Sequence, residues 1–323
     1  MRYNRLSAMN FLEALRERVL VAEGAMGTRL LSKGISPDVC LEALNLTNPT
    51  LIREIHEEYR AAGAEILKTN TFGANIPRLA RHNLEAKCRE INIAAVQIAR
   101  SVAGQGGLVA GVVGPLGESA NLEAGRAFNI QIEALAEAGA NFILLETFRN
   151  LYQLRDAIHA AREVCDLPVV AQVSPDQHGN LENGLGPEVF VSMLVEWGAD
   201  AIGCNCGAGL AAMLDTIRRM ALLTDQPLTA QPSAGLPFFQ EGRAVYPCLP
   251  EELADAARQL AQMGVPGVRI VGACCGTTPD HITAIRRAVH SKRASPFPTP
   301  APGTTAGRRP LLSYHPKDRP GQT

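Results

Sequence analysis

Apolar runs rich in β-branched residues recur along the chain at near-regular spacing, and each is followed by a stretch whose apolar positions return with helical period. The runs are VLVAEG (19–24), EILKTNTF (65–72), LVAGVVGPLG (108–117), FILLETF (142–148), PVVAQVSP (168–175), AIGCNCG (201–207), PLTAQPSAG (227–235) and GVRIVGACCG (267–276). The amphipathic stretches cover 50–62, 84–103, 121–138, 151–164, 187–197, 209–223, 250–263 and 280–290. Eight strand–helix units in about 270 residues predict an α/β chain folded as a single-domain (β/α)8 (TIM) barrel over residues 19–290, with a doubly wound open sheet as the competing layout.

Outside that region the pattern changes. Residues 1–18 read as an N-terminal extension or first helix, and Met9 is a second plausible start that would leave residues 1–8 outside the fold. Residues 291–323 are rich in Pro and polar residues with no periodicity. They predict a disordered tail, or the start of a linker to a further module.

Composition narrows the function classes. Lys plus Arg total 31 against 32 Asp plus Glu, a net charge of −1, so there is no basic field for nucleic acid or anionic lipid, and a small-molecule partner is expected. No apolar run approaches the roughly 18 residues of a membrane span, and the N-terminus lacks the apolar centre of a secretory signal, which predicts a cytoplasmic protein. The 8 cysteines among 323 residues are too sparse for a disulfide scaffold. As thiols they are available to a metal or to catalysis.

In a barrel of this kind the chemistry gathers where the strands end. The unusual stretches fall there: EGAMGT (23–28), TNTFGA (69–74), GPLG (114–117), ETF (146–148), NCG (205–207), PSAG (232–235) and CCGTTP (274–279). Neighbouring side chains of a continuing strand face opposite ways, so Cys274 and Cys275 can share a partner only if the strand stops, and Gly272 and Gly276 bracket the pair. A disulfide between neighbours is disfavoured, because a disulfide usually spans Cα atoms about 4.4–6.8 Å apart and consecutive residues lie roughly 3.8 Å apart. Cys206 ends the sixth run, within reach of the same spot. Three thiolates and one open position describe a catalytic zinc (Zn2+) site. Cys204, two residues earlier, is expected on the same side as Cys206 but one layer lower, as packing; Cys40, Cys88, Cys165 and Cys248 read as packing residues too.

At these residues the sequence resembles the homocysteine S-methyltransferase family, zinc enzymes built on a (β/α)8 barrel. EGAMGT, TNTFGA, GPLG, ETF, GCNC, QPSAGLP and GACCGTTP match in family order over nearly all of residues 19–290. The likeness is greatest to homocysteine-binding modules of larger cobalamin-dependent and reductase-fused enzymes. The resemblance implies zinc on Cys206, Cys274 and Cys275 and methyl transfer to the thiol of homocysteine, forming methionine. It also implies a small-molecule donor (betaine, S-methylmethionine or S-adenosylmethionine) or a methyl group delivered by a separate cobalamin, folate or reductase module. Glu23 and Glu146 are the candidates for the substrate ammonium, with Glu146 also the candidate catalytic residue. The N–H groups of Gly24 and Ala25 are the candidates for its carboxylate, and Thr69 and Asn70 for further hydrogen bonds.

Three departures stand inside the motifs: Glu23 where the family usually has Asp, Ser233 where it usually has Asn, and Asn150 where an acidic residue is frequent. A quaternary ammonium donor would favour an aromatic cage, for which Phe72, Phe128, Phe148 and Tyr246 are the available rings. The alternative functions are a non-catalytic zinc- or thiol-binding barrel acting as sensor or subunit, and methyl transfer to another thiol or a selenol.

Overall fold

The computed structural model describes residues 5–117, 124–207, 209–240, 243–264 and 267–290. The stretch 291–323, the start of the chain and the first residues of the helix expected over 121–138 lie outside the described residues. Eight parallel strands form the sheet: β1 (Leu20–Val21), β2 (Ile66–Lys68), β3 (Leu108–Val113), β4 (Phe142–Phe148), β5 (Val169–Val173), β6 (Ala201–Cys206) and β7 (Leu228–Pro232), with β8 and β9 forming a separate hairpin (Phe238–Gln240, Arg243–Val245) before β10 (Val268–Val271).

The sheet order β1-β10-β7-β6-β5-β4-β3-β2 closes on itself, because Ala22 bridges Ile66 in parallel and Glu23 N–H donates to the Ile66 carbonyl at 3.0 Å. The chain is therefore a (β/α)8 barrel rather than an open sheet. Each expected run holds one barrel strand, since apolar β-branched residues suit strands covered on both faces.

Alternation along each strand sorts side chains into two layers. Leu20, Ala22, Ile66, Ala110, Phe142, Leu144, Val170, Ala201 and Ile270 fill the barrel interior. Val21, Leu67, Val109, Ile143, Leu145, Ala171, Ile202, Ala230 and Val271 meet the surrounding helices. The interior is closed at the strands' N-terminal end by the helix Arg5–Glu17, whose Phe11 and Leu15 are fully buried there. The Phe11 ring stacks on Phe142 with centroids 4.0 Å apart and planes 11° apart.

Asn150 has a local role: its side chain accepts from Gln153 N–H at 3.0 Å and caps the helix Leu151–Val164. No helix among the described residues is long and apolar enough to cross a membrane.

Candidate metal centre and substrate cavity

The three cysteines arrive at the barrel mouth by different means. In β6, Ala201 faces the interior and Ile202 the helices; Cys204 follows Ile202 outward, fully buried, its Sγ 3.6 Å from Met220 Sδ on the helix Leu210–Ala221. Cys204 is thus packing, as expected, but on the barrel's outer side rather than inside it. Cys206 has the same parity and would also face outward in an extended strand. Its φ of +59° breaks the alternation and turns the sulfur to the mouth. In the last unit, Ala273 packs outward and Cys274 inward, and Gly276 (φ +80°) turns the chain directly after Cys275. A Cβ at Gly276 would lie 2.2 Å from the Tyr246 ring, so the turn demands glycine on two counts.

Cys206 Sγ lies 3.9 Å from Cys275 Sγ, Cys274 Sγ lies 4.0 Å from Cys275 Sγ, and all three fall within 4.8 Å of one another. Thiolates on one tetrahedral zinc, with bonds of about 2.3 Å, sit roughly 3.8 Å apart, so a small inward movement fits the trio to a thiophilic metal. Among the described residues no fourth Cys, His, Asp or Glu joins the group. Mutual hydrogen bonding is the largest influence on all three thiols. Its largest component raises Cys206 and Cys275 but lowers Cys274; with burial the balance raises Cys206 and Cys274 to about 12 and Cys275 to about 11, so each is protonated at neutral pH in the absence of a metal.

A cavity of about 450 Å³ opens beside the sulfurs. Gly24, Ala25, Thr69, Asn70 and Glu146 line it together with Cys206, Cys274 and Cys275. Glu146 follows Phe142 and Leu144 inward by alternation, and β4 carries a bulge between Leu145 and Phe148. The bulge and the left-handed Thr147 (φ +66°) put Thr147 on the cavity beside Glu146 while returning Phe148 to the outer layer. Asn205 holds this strained turn: its Oδ1 accepts from Thr147 N–H at 2.7 Å, and its Nδ2 donates to Thr147 Oγ1 at 2.7 Å and approaches Cys274 Sγ at 3.7 Å.

Thr69 and Asn70 spend hydrogen bonds on the walls. Thr69 Oγ1 accepts from Val112 N–H at 2.9 Å and pairs with Thr71 Oγ1 at 2.6 Å, while Asn70 Nδ2 donates to the Leu41 carbonyl at 2.8 Å. Ala25 N–H donates to Thr277 Oγ1 at 3.2 Å. Gly24 sits so close to its neighbours that a Cβ there would be 2.7 Å from Thr277 Oγ1 and 2.9 Å from the Tyr59 ring.

Glu23, expected at the substrate ammonium, is not among the residues lining the cavity. Leu20 and Ala22 face inward and Val21 outward, so Glu23 lies on the outer side, fully buried. There its carboxylate accepts from Lys68 N–H at 2.8 Å and meets His56 Nδ1 at 3.0 Å. It ties β1 to β2 and to the helix Pro49–Ala61. Ser233 is buried. Of the four rings considered for a cage, Phe128 and Phe148 lie in the outer core, 6.2 Å apart; Phe72 lines the cavity, and the Arg78 guanidinium sits 5.0 Å over its ring.

Lys68 and Asn205 are functional candidates that the motif reading passed over. Lys68 projects inward at the end of β2 and lines the cavity, its Nζ donating to Gln231 Oε1 at 3.1 Å and the Ala273 carbonyl at 3.3 Å. Burial alone would lower its pKa, but the negative groups around it, Glu146 first, outweigh burial and hold the ammonium above the usual lysine value. The available signal was a charge inside an otherwise buried strand run.

A family model described as homocysteine S-methyltransferase matches residues 20–289. Methionine synthase of Mycobacterium tuberculosis (strain ATCC 25618 / H37Rv) is 34% identical over 304 residues, covering 87% of this chain, and that of Mycobacterium leprae (strain TN) is 33% identical with the same coverage. The chain spans 25% of the length of each of these curated relatives. Among solved structures, the metallated form of the homocysteine methyltransferase MmuM from Escherichia coli superposes with a TM-score of 0.69 at 27% identity, covering 84% of this chain and 96% of that one. A methyltransferase from Methanosarcina mazei, at 14% identity and a TM-score of 0.56, shares the fold. With the match running from the first barrel strand to the last helix, and the three thiols meeting where the strands end, the chain belongs to the homocysteine S-methyltransferase family.

Proposed function

We propose that this barrel transfers a methyl group to the thiol of homocysteine, forming methionine, with zinc held by Cys206, Cys274 and Cys275. The observation that carries the reading is the sulfur triad with its open side on the cavity. Zinc there would lower the pKa of a substrate thiol in the open position and keep it as the nucleophilic thiolate.

The chain's own residues do the rest. Glu146 Oε2 is buried with no hydrogen-bond partner, an acceptor placed for the homocysteine ammonium. The turn at Gly24 and Ala25 bounds the same cavity and brings the substrate's backbone end close to the strand-one loop. Thr69 and Asn70, held by Val112 and Leu41, keep the wall rigid, which fixes the acceptor sulfur relative to the incoming methyl group. Glu23 acts through others: it fixes the backbone of Lys68 against β1.

The donor enters from the open side, past Met26, Leu31, Leu41 and Phe72. Phe72 is the one ring of the four considered that lines the cavity, and a single ring is not the cage a quaternary ammonium would favour, which disfavours betaine. The mycobacterial relatives carry three quarters of their length beyond the share matched here, which favours a methyl group presented by another module, such as methyl-cobalamin. The test is methionine formation from homocysteine by zinc-loaded protein with each donor in turn, alongside metal analysis. Metal-free protein of undiminished activity would sink the reading.

A further inference from the structure

Among the described residues that line the cavity Lys68 is the only cation, beside two carboxylates, Glu42 and Glu146, and three thiols. A ligand bearing a carboxylate would enter a field of negative groups unless Lys68 met it. The strand-one turn offers no charge, and its Ala25 N–H is already given to Thr277. Lys68 Nζ is fixed by Gln231 and Ala273, which use two of an ammonium's three donors. The nearest anion, Glu146 Oε2, stands 3.7 Å away, inside ion-pair range but too far for a hydrogen bond. Both groups are therefore incompletely satisfied, in a place where unsatisfied buried charge is costly.

The spacing has a chemical counterpart. In an α-amino acid the ammonium nitrogen and the carboxylate oxygens are about 3 Å apart, as the N–Cα and Cα–C bond lengths require. A zwitterion laid head to tail against the Lys68–Glu146 pair places each charge against its opposite, with no net charge added to the cavity.

We propose that Lys68 and Glu146 form a clamp for the zwitterionic head of the acceptor, Lys68 taking the carboxylate and Glu146 the ammonium, so that the site selects amino acid thiols over simple thiols. The proposal rests on reading the cavity as the homocysteine site. Lys68 is then a specificity-determining residue, and its neighbours Gln231 and Ala273 are what aim it.

The experiment measures dissociation constants by calorimetry on the zinc-loaded full chain for homocysteine, its decarboxylated analogue and its deaminated analogue. In Lys68→Met, homocysteine and the deaminated analogue should weaken about ten- to a hundredfold, the loss of one charge-assisted hydrogen bond, while the decarboxylated analogue binds as well as before or better. Glu146→Gln should show the mirror pattern, weakening homocysteine and the decarboxylated analogue. Equal weakening of all three ligands in Lys68→Met, or of none, overturns the clamp. If Lys68→Met fails to hold its metal, Lys68→Gln, which keeps a donor but drops the charge, is judged by the same criterion. Unmodified protein that holds zinc yet binds none of the thiols overturns the acceptor reading itself, whereas equal affinity for all three overturns the clamp alone.

Discussion

Where the barrel strands begin, Phe11, Leu15, Leu20 and Phe142 pack into an apolar plug; towards the other end of the barrel Lys68 lines a cavity, and Gln172, Asn205 and Gln231 are buried polar groups. The first end gains free energy with every methylene removed from water. The second spends it on a buried ammonium, a carboxylate oxygen without a hydrogen-bond partner, and two residues, Thr147 and Cys206, in left-handed backbone. Strain and unsatisfied groups at the mouth persist because the plug and the helix layer stabilise the barrel around them. The two ends should therefore respond differently to substitution.

The largest effect expected at the mouth is loss of metal. Cys206→Ala, Cys274→Ala and Cys275→Ala should each abolish stoichiometric zinc and reduce methionine formation to background, with the barrel still folded by circular dichroism. Full zinc retention in all three variants would remove the metal assignment.

Next is the pH dependence of metal uptake. The thiols sit at about 12, 12 and 11, above the ordinary value of 9.0, so near neutrality they are protonated, and zinc binding as proposed would expel about three protons. Apparent affinity should climb with pH by up to roughly a thousandfold per unit, and calorimetry in buffers of different ionisation enthalpy should count the protons. In the metal-free protein the sign is opposite. The raised folded values favour the protonated thiols, so their contribution to stability is complete below the ordinary thiol range and is lost as pH rises towards 11–12.

At the plug, Phe11→Ala should cost about 3–5 kcal/mol in urea unfolding while zinc per folded chain stays the same. A variant that lost zinc in proportion to stability would show that the two ends are not separable. Smaller again is Asn205→Ala, which releases Thr147 and removes a donor near Cys274; zinc affinity should fall about ten- to a hundredfold in competition with a chromophoric chelator. The smallest effect belongs to Cys204→Ala. Its sulfur touches Met220 rather than the cavity, so metal content should be unchanged and the cost in stability about 1 kcal/mol.

Periodicity along the chain was enough to establish eight strand–helix units, and glycine-bracketed cysteines at the strand ends were enough to name the sulfur triad, because both depend on local chemistry. The direction of a side chain at a strand end is not local. Cys206 comes to the mouth only through a left-handed residue, Glu146 and Thr147 share the cavity only through a bulge, and Glu23 is turned to His56 by the parity of a strand whose neighbours decide which face is inside. The plug was equally hidden, since Phe11 meets Phe142 across 131 positions of sequence. Sequence by itself determined the barrel and its thiols; tertiary structure alone decided which carboxylate faces the cavity and set Lys68 beside it, because barrel closure fixes which side of each strand is interior.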